Sequence, residues 1–335
     1  MGNETRTRLS QSELLALQKR QRSDQAKRMA QVDGLVQSGE RLGRELGSGL
    51  GALKATGQRL EALEQGESEG GLLAALTRPF TARRQALERR SVAEELIAVY
   101  ERASVKLREA SAFADELRLC SLELQQDVDR LHAELDKAVR GERAAAERIL
   151  ACEASIDELA TLGVDPATYE RRLDRYEFDL KSEGVNALLF QTAADQCRTH
   201  IAPTRALRDT VLQLHEDMAR YVVNATHTLN AAGSRVQGLG VMADAPLVVQ
   251  ELQNSLDELG AAMDATEQYI THSEHLIRDL LPRLNHALAS DDALKAEELE
   301  SQLQDMDRGR AHTLAERALR EAADAEIEAL LGGDA

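Results

Sequence analysis

The chain has 335 residues, a formal net charge of −17, no Trp and only 3% aromatic residues. A sheet protein of this length draws more heavily on β-branched and aromatic side chains. General nucleic-acid binding needs clustered positive charge, not an excess of acids. What fits is an all-α chain rich in Ala, Leu, Glu and Arg, whose small apolar residues suit narrow helix–helix seams. The expected fold is an elongated helical bundle or coiled coil of about five to seven helices, several of them long.

Residues 1–70 read as a basic helical segment interrupted by Gly43, Gly47, Gly49, Gly51 and Gly57. Each interior Gly costs a helix about 1 kcal/mol relative to Ala. The reading is therefore a helix from Ser10 to Leu46, a frayed or kinked stretch, and a linker at GESEGG, 66–71. The start, MGNETRTRLS, lacks the apolar stretch of a secretory signal and carries Arg6 where a myristoylation pattern wants Ser or Thr.

Residues 71–289 form the expected main bundle. The strongest periodicity is a heptad with Leu96, Ala103, Ala110, Leu117, Leu124, Leu131 and Ala138 at one seam position. Tyr100, Leu107, Ala114, Ser121, Val128 and Leu135 occupy the other, and only Ser121 departs from apolar. This predicts one helix from Phe80 to Ala160, on the order of 100 Å long, with Gly141 as the place for a bend. TLGVDP (161–166) breaks it, with Asp165 as N-cap and Pro166 at the first helical position. A third helix is expected from Ala167 to His200, and a fourth opened by Pro203 and ending near Gly233. The stretch 233–246 reads as a loop, and Asp244 as the cap of a fifth helix with Pro246 in its first turn. That helix carries a seam through Val249, Leu252, Leu256, Leu259, Met263, Thr266, Ile270, Ser273, Ile277 and Leu280, up to Pro282. Residues 290–335 read as an acidic helical tail, solvated, as one helix or two short ones.

The sequence offers little chemistry. GLGVM (238–242) lacks the lysine of a phosphate-binding loop. His272 and His275 share a helix face and could share a metal, but zinc needs a further protein ligand, and His286 lies beyond Pro282. They read as surface histidines. His215, Glu216 and Asp217 are consecutive, so they point different ways around a helix and do not converge. Cys120, Cys152 and Cys197 have no metal or disulfide spacing and read as small core residues in a reducing compartment. The expectation is no catalytic residue, no metal and no cofactor, hence a non-enzymatic protein. No run of about 18 apolar residues is present to span a bilayer, and the cysteines make the cytoplasm the expected compartment, with peripheral membrane contact as a further expectation.

One segment runs against the acidic balance. GLLAALTRPFTARRQALERRS (71–91) holds five arginines against Glu88, beside Leu72, Leu73, Leu76 and Phe80. Arg78, Phe80, Arg83, Arg84, Arg89 and Arg90 are the candidate interaction residues. The plain reading is an amphipathic helix start whose arginines are solvated or paired with the acidic C-terminal helices. The functional one is docking on an anionic membrane or a protein partner, each basic residue adding roughly 1 kcal/mol near an anionic leaflet.

Three stretches resemble toxic anion resistance proteins of the tellurite-resistance TelA type. They are LLAALTRPFTARRQALERR, the coil ELIAVYERASVKLREASAFADELRLCSLELQQDVDRLHAEL, and VMADAPLVVQELQNSLDELGAAMDATEQYITHSEHLIRD. Together they span about 71–280, and none is a specific motif. The resemblance implies a cytoplasmic, all-helical stress protein with partners at the membrane, and no catalytic residues to carry over. The expected function is a coiled-coil scaffold or adaptor, in toxic-anion or envelope-stress resistance. The alternatives are a membrane-surface helical module and a metal- or anion-binding stress protein. Protein partners, an anionic membrane and a second copy of the chain are the partner classes considered; nucleic acid is not one.

Overall fold

In the computed structural model the described residues are 8–65, 74–163, 165–241, 254, 260–275, 278–279, 281–282 and 292–332. Side chains are described for these except 64–86, 234–241, 260–266, 292–297, 328–329 and 332. The elements are all helices: α1 (Gln11–Gln65), α2 (Ala74–Thr161), α3 (Pro166–Val241), α4 (Gly260–His275), α5 (Asp292–Gln304) and α6 (Arg308–Gly332). The all-α class with several long helices is as expected.

Helix starts are set by side chains that satisfy orphan N–H groups. Ser10 and Glu13 form a reciprocal capping box: the Glu13 amide donates to Ser10 Oγ at 3.2 Å and the Ser10 amide to Glu13 Oε2 at 2.9 Å. Asp165 accepts from the Thr168 amide at 3.1 Å, ahead of Pro166, as the sequence predicts. Asp307 caps α6 through the Arg310 amide at 2.8 Å.

Both α2 seams are where the heptad puts them. Leu96, Ala103, Ala110, Leu117, Leu124, Leu131 and Ala138 are all buried, and the second row is buried or half-buried throughout. Gly141 does not interrupt α2. Instead the buried Phe190 ring lies against it, so close that a Cβ there would overlap the ring.

Three expected breaks are absent. Helix α1 runs through Gly43, Gly47, Gly49, Gly51 and Gly57. Its buried row is Val32, Val36, Gly39, Gly43, Leu46, Leu50, Leu53, Gly57 and Leu60, a heptad seam in which three glycines take core positions. Burial of the leucines around them outweighs the cost of each Gly in a helix. Helix α3 likewise runs through Pro203. Cys197, Ile201, Thr204, Leu207, Val211 and Leu214 are buried on either side of it, and packing of this row carries the helix past the missing N–H. The stretch 233–241, expected as loop, continues α3. The linker 66–71, the Asp244–Pro246 cap, His286 and the seam from Val249 to Leu259 lie outside the described residues.

The chain divides into two compact units, and each draws on several helices. The first comprises Met1–Arg28, Leu124–Leu207 and Arg283–Ala335. Within it α1 and α2 run antiparallel, fastened by Arg28–Asp127 at 2.7 Å, Arg130–Asp24 at 3.1 Å and the Arg20–Glu134 pair. Arg148–Glu183 at 2.9 Å and Arg205–His132 at 2.6 Å set α2 against α3, again antiparallel. Glu183 also takes Arg8 at 3.2 Å, and Asn186 Oδ1 accepts the Leu9 amide at 3.0 Å. The C-terminal helix is not merely solvated. Ala311, Ala315 and Ala318 are buried with Ala145, Ala146, Ile149, Leu180 and Ala187.

The second unit comprises Met29–Glu123 and Arg208–Pro282. Its α1–α2 pairs are Lys106–Glu45 at 2.7 Å and Arg59–Glu95 at 3.1 Å. Helix α4 inserts Tyr269, fully buried, edge-on against Phe113 of α2 with ring centroids 6.4 Å apart. Ser273 of the predicted seam is buried too, one turn on from Tyr269, which the seam assignment left out.

Candidate functional site

The arginine segment is helical from Ala74 onward. The side chains of Arg78, Phe80, Arg83 and Arg84 lie outside the described residues. Arg89 donates to the Leu63 carbonyl at 3.2 Å, which ties α2 to the end of α1. Arg90 is exposed and pairs with Glu94 one turn along, at 3.3 Å. So one of the six candidate residues serves intramolecular packing and one presents its charge to solvent.

The two histidines do not converge on a common point. His272 Nδ1 lies 2.5 Å from Asp217 Oδ2, while His275 Nδ1 lies 2.8 Å from Asp279. Among the described residues no group of three or more His, Cys, Asp or Glu could hold a metal ion. Asp217 is 2% exposed and also accepts from Gln213 at 3.2 Å, with Arg220 at 3.8 Å. His215 turns the other way, to the Ala114 carbonyl at 2.9 Å. The His272–Asp217 contact therefore fastens α4 to α3 within the second unit.

All three cysteines are free, and Cys120 and Cys197 are buried. Burial pushes the Cys152 and Cys197 thiols up from their ordinary value, which lowers the thiolate fraction and makes them poor nucleophiles.

The first unit holds a cleft of about 510 Å³ between α3 and the α5–α6 pair. Gln191, Asp195, Gln196 and Arg198 line it from α3, Glu298 and Gln302 from α5, and Arg317 from α6. Its charges are paired locally: Arg198 with Asp195 at 2.8 Å, and Arg317 with Glu321 at 2.7 Å. Gln196 Oε1 is buried without a hydrogen-bond partner. Close by on α2 is Glu142, only 5% exposed, with Asp195, Arg198, Arg317 and Glu321 as the charged groups acting on it. Burial pushes its carboxyl up to about 7, the negative Glu321 adds to this, and Arg198 opposes it. A group that takes up or gives off a proton near neutrality in a polar setting is where function concentrates. Neither the cleft nor Glu142 was singled out from the sequence. The available signal was a Glu one residue beyond Gly141, with small apolar residues three and four positions on, which puts a carboxylate on the buried face.

The second unit has a more apolar groove of about 500 Å³ along α1 and α2, lined by Leu46, Gly49, Leu50, Val99 and Ala103 and rimmed by Arg44, Glu45, Arg102 and Lys106. No described helix is long and apolar enough to cross a membrane. No family model, curated protein or solved structure matches the chain.

Proposed function

We propose that the protein is a non-enzymatic helical scaffold or adaptor that binds other proteins along its long helices. The observation that carries this is the division of labour on α2. Helix α2 is 88 residues long, about 130 Å, and over its residues 87–161 one face is buried and the rest is charged surface broken by exposed Val105, Leu119 and Leu122. Ordered, mixed-polarity surface of that length suits extended contacts with partners. Proximity labelling in cells tests it. A reproducible set of neighbours should be enriched with the parent chain and lost with a variant whose core is broken. Equal labelling by both would sink the reading.

The finer version, a role in resistance to tellurite or other toxic oxyanions and to envelope stress, is supported by the resemblance alone. A strain lacking the protein should then tolerate less tellurite than its parent; unchanged tolerance removes this version and leaves the scaffold.

A second reading, peripheral contact with an anionic membrane, is favoured by the five arginines clustered near the start of α2. Co-sedimentation with anionic vesicles should be lost when Arg83, Arg84, Arg89 and Arg90 are all changed to Gln. It should also fade as salt shortens the screening length from about 10 Å at 0.1 M to about 3 Å at 1 M. Failure of the parent to bind such vesicles at low salt rules the membrane out.

A further inference from the structure

In the second unit a buried acid of α3 stands behind an exposed histidine of α4. The Asp217 side chain is 2% exposed and that of His272 is 47% exposed. Asp217 Oδ2 lies 2.5 Å from His272 Nδ1, and Gln213 donates to Asp217 Oδ1 at 3.2 Å. A carboxylate oxygen only accepts hydrogen bonds, so Nδ1 carries the imidazole proton. That tautomer leaves the ring's lone pair on Nε2. With Nδ1 turned to a buried group, what the ring offers to solvent is its Nε2 side. Arg220, exposed and nearly one turn along α3, has a guanidinium nitrogen 3.8 Å from the other oxygen of Asp217. One carboxylate thus has the imidazole on one side and a guanidinium on the other.

His275, one turn along α4, makes the same kind of contact under different conditions. Its Nδ1 lies 2.8 Å from Asp279, but Asp279 is half-exposed and the His275 side chain is 69% exposed. Water competes for that contact, so Asp279 holds the ring less firmly than a buried carboxylate does.

We propose that His272 is a phosphoryl-accepting histidine, with Nε2 as the nucleophile, buried Asp217 behind Nδ1 holding the tautomer, and Arg220 beside it to meet the anionic phosphoryl oxygens.

The donor class is a phosphoramidate, a phosphoryl group carried on nitrogen. The Nε2 lone pair attacks phosphorus, the donor's phosphorus–nitrogen bond breaks, and its electron pair leaves with the donor nitrogen. The ring becomes cationic and keeps its proton on Nδ1, where the charge of Asp217 offsets it, so no further base is needed. Phosphoryl transfer rests on positioning and charge neutralisation, which an exposed nitrogen with a guanidinium close by supplies without a deep cavity. The inference goes beyond the scaffold reading and stands or falls apart from it.

The test is incubation of the full chain with potassium phosphoramidate near neutral pH, with the acid-labile phosphoryl group localised by peptide fragmentation. His275 is the internal control, because exposure alone would make it the faster of the two. His272 is expected to be labelled about tenfold faster or more, and phosphorus NMR should show the Nε2-phosphate. Asp217→Asn removes the charge behind the ring and should bring the His272 rate down towards that of His275. If that variant does not fold, Arg220→Gln, at an exposed position, decides, since it should lower the His272 rate and leave that of His275 unchanged. A His272 rate no greater than that of His275 overturns the proposal. So does attachment at Nδ1, or a preference for His272 that survives undiminished in the deciding variant.

Discussion

Replacing Leu117 and Leu124 together by Asp is expected to abolish the cooperative thermal transition. Leu117 is fully buried in the second unit and Leu124 in the first, so the pair strikes both cores. Removing each leucine forfeits about 2–5 kcal/mol in a site that cannot collapse. Each Asp then brings a charge whose burial costs several kcal/mol more unless it is paired. The sum reaches the whole stability of an ordinary domain, about 5–15 kcal/mol. Circular dichroism at 222 nm during heating reads the result. A cooperative melt within a few degrees of the parent would mean that these seams are not what holds the helices together.

Glycine-to-alanine changes along α1 should split by sign. At Gly39 a methyl group would overlap the Tyr269 hydroxyl and come within 2.8 Å of the Phe113 ring. Both rings are buried and packed on each other, so neither can yield cheaply. Overpacking costs about 1–3 kcal/mol, against a gain of about 1 kcal/mol from better helix propensity, and Gly39→Ala should destabilise. Gly49 and Gly51 would meet nothing within 4 Å, so alanine there should stabilise by roughly 0.5–1 kcal/mol each. Tyr269→Phe should rescue Gly39→Ala in part, because it removes the overlapping oxygen while the close approach to Phe113 remains. That hydroxyl is buried without a partner, so losing it costs little by itself. A double-mutant cycle from urea melts reads the coupling. Additive effects, or stabilisation by Gly39→Ala, would show that Tyr269 does not pack on Gly39.

The outcomes at Gly39, Pro203 and Glu142 separate two kinds of information in this chain. The α2 heptad was legible because every seventh residue repeats a requirement that a single helix imposes on itself. Asp165–Pro166 was legible because capping is settled within a few residues. Breaks were over-read wherever a local penalty was taken as final. Five glycines and Pro203 look like interruptions one residue at a time, yet Gly43, like Gly39 one turn before it, occupies a seam position where a small residue lets side chains of α4 approach. That reading needs the partner: only the position of Tyr269 on α4 distinguishes a packing glycine from a helix breaker. The candidate site was hidden for the same reason. Glu142, Asp195 and Glu321 are far apart in sequence, and each alone is an ordinary acid on an ordinary helix. Composition and periodicity thus determined the all-α class, the long α2 and its buried face, since those follow from local propensity and a repeating pattern. Tertiary packing decided which glycines and prolines a helix tolerates, and which carboxylate holds its proton near neutrality, since both depend on the distance to side chains from other helices.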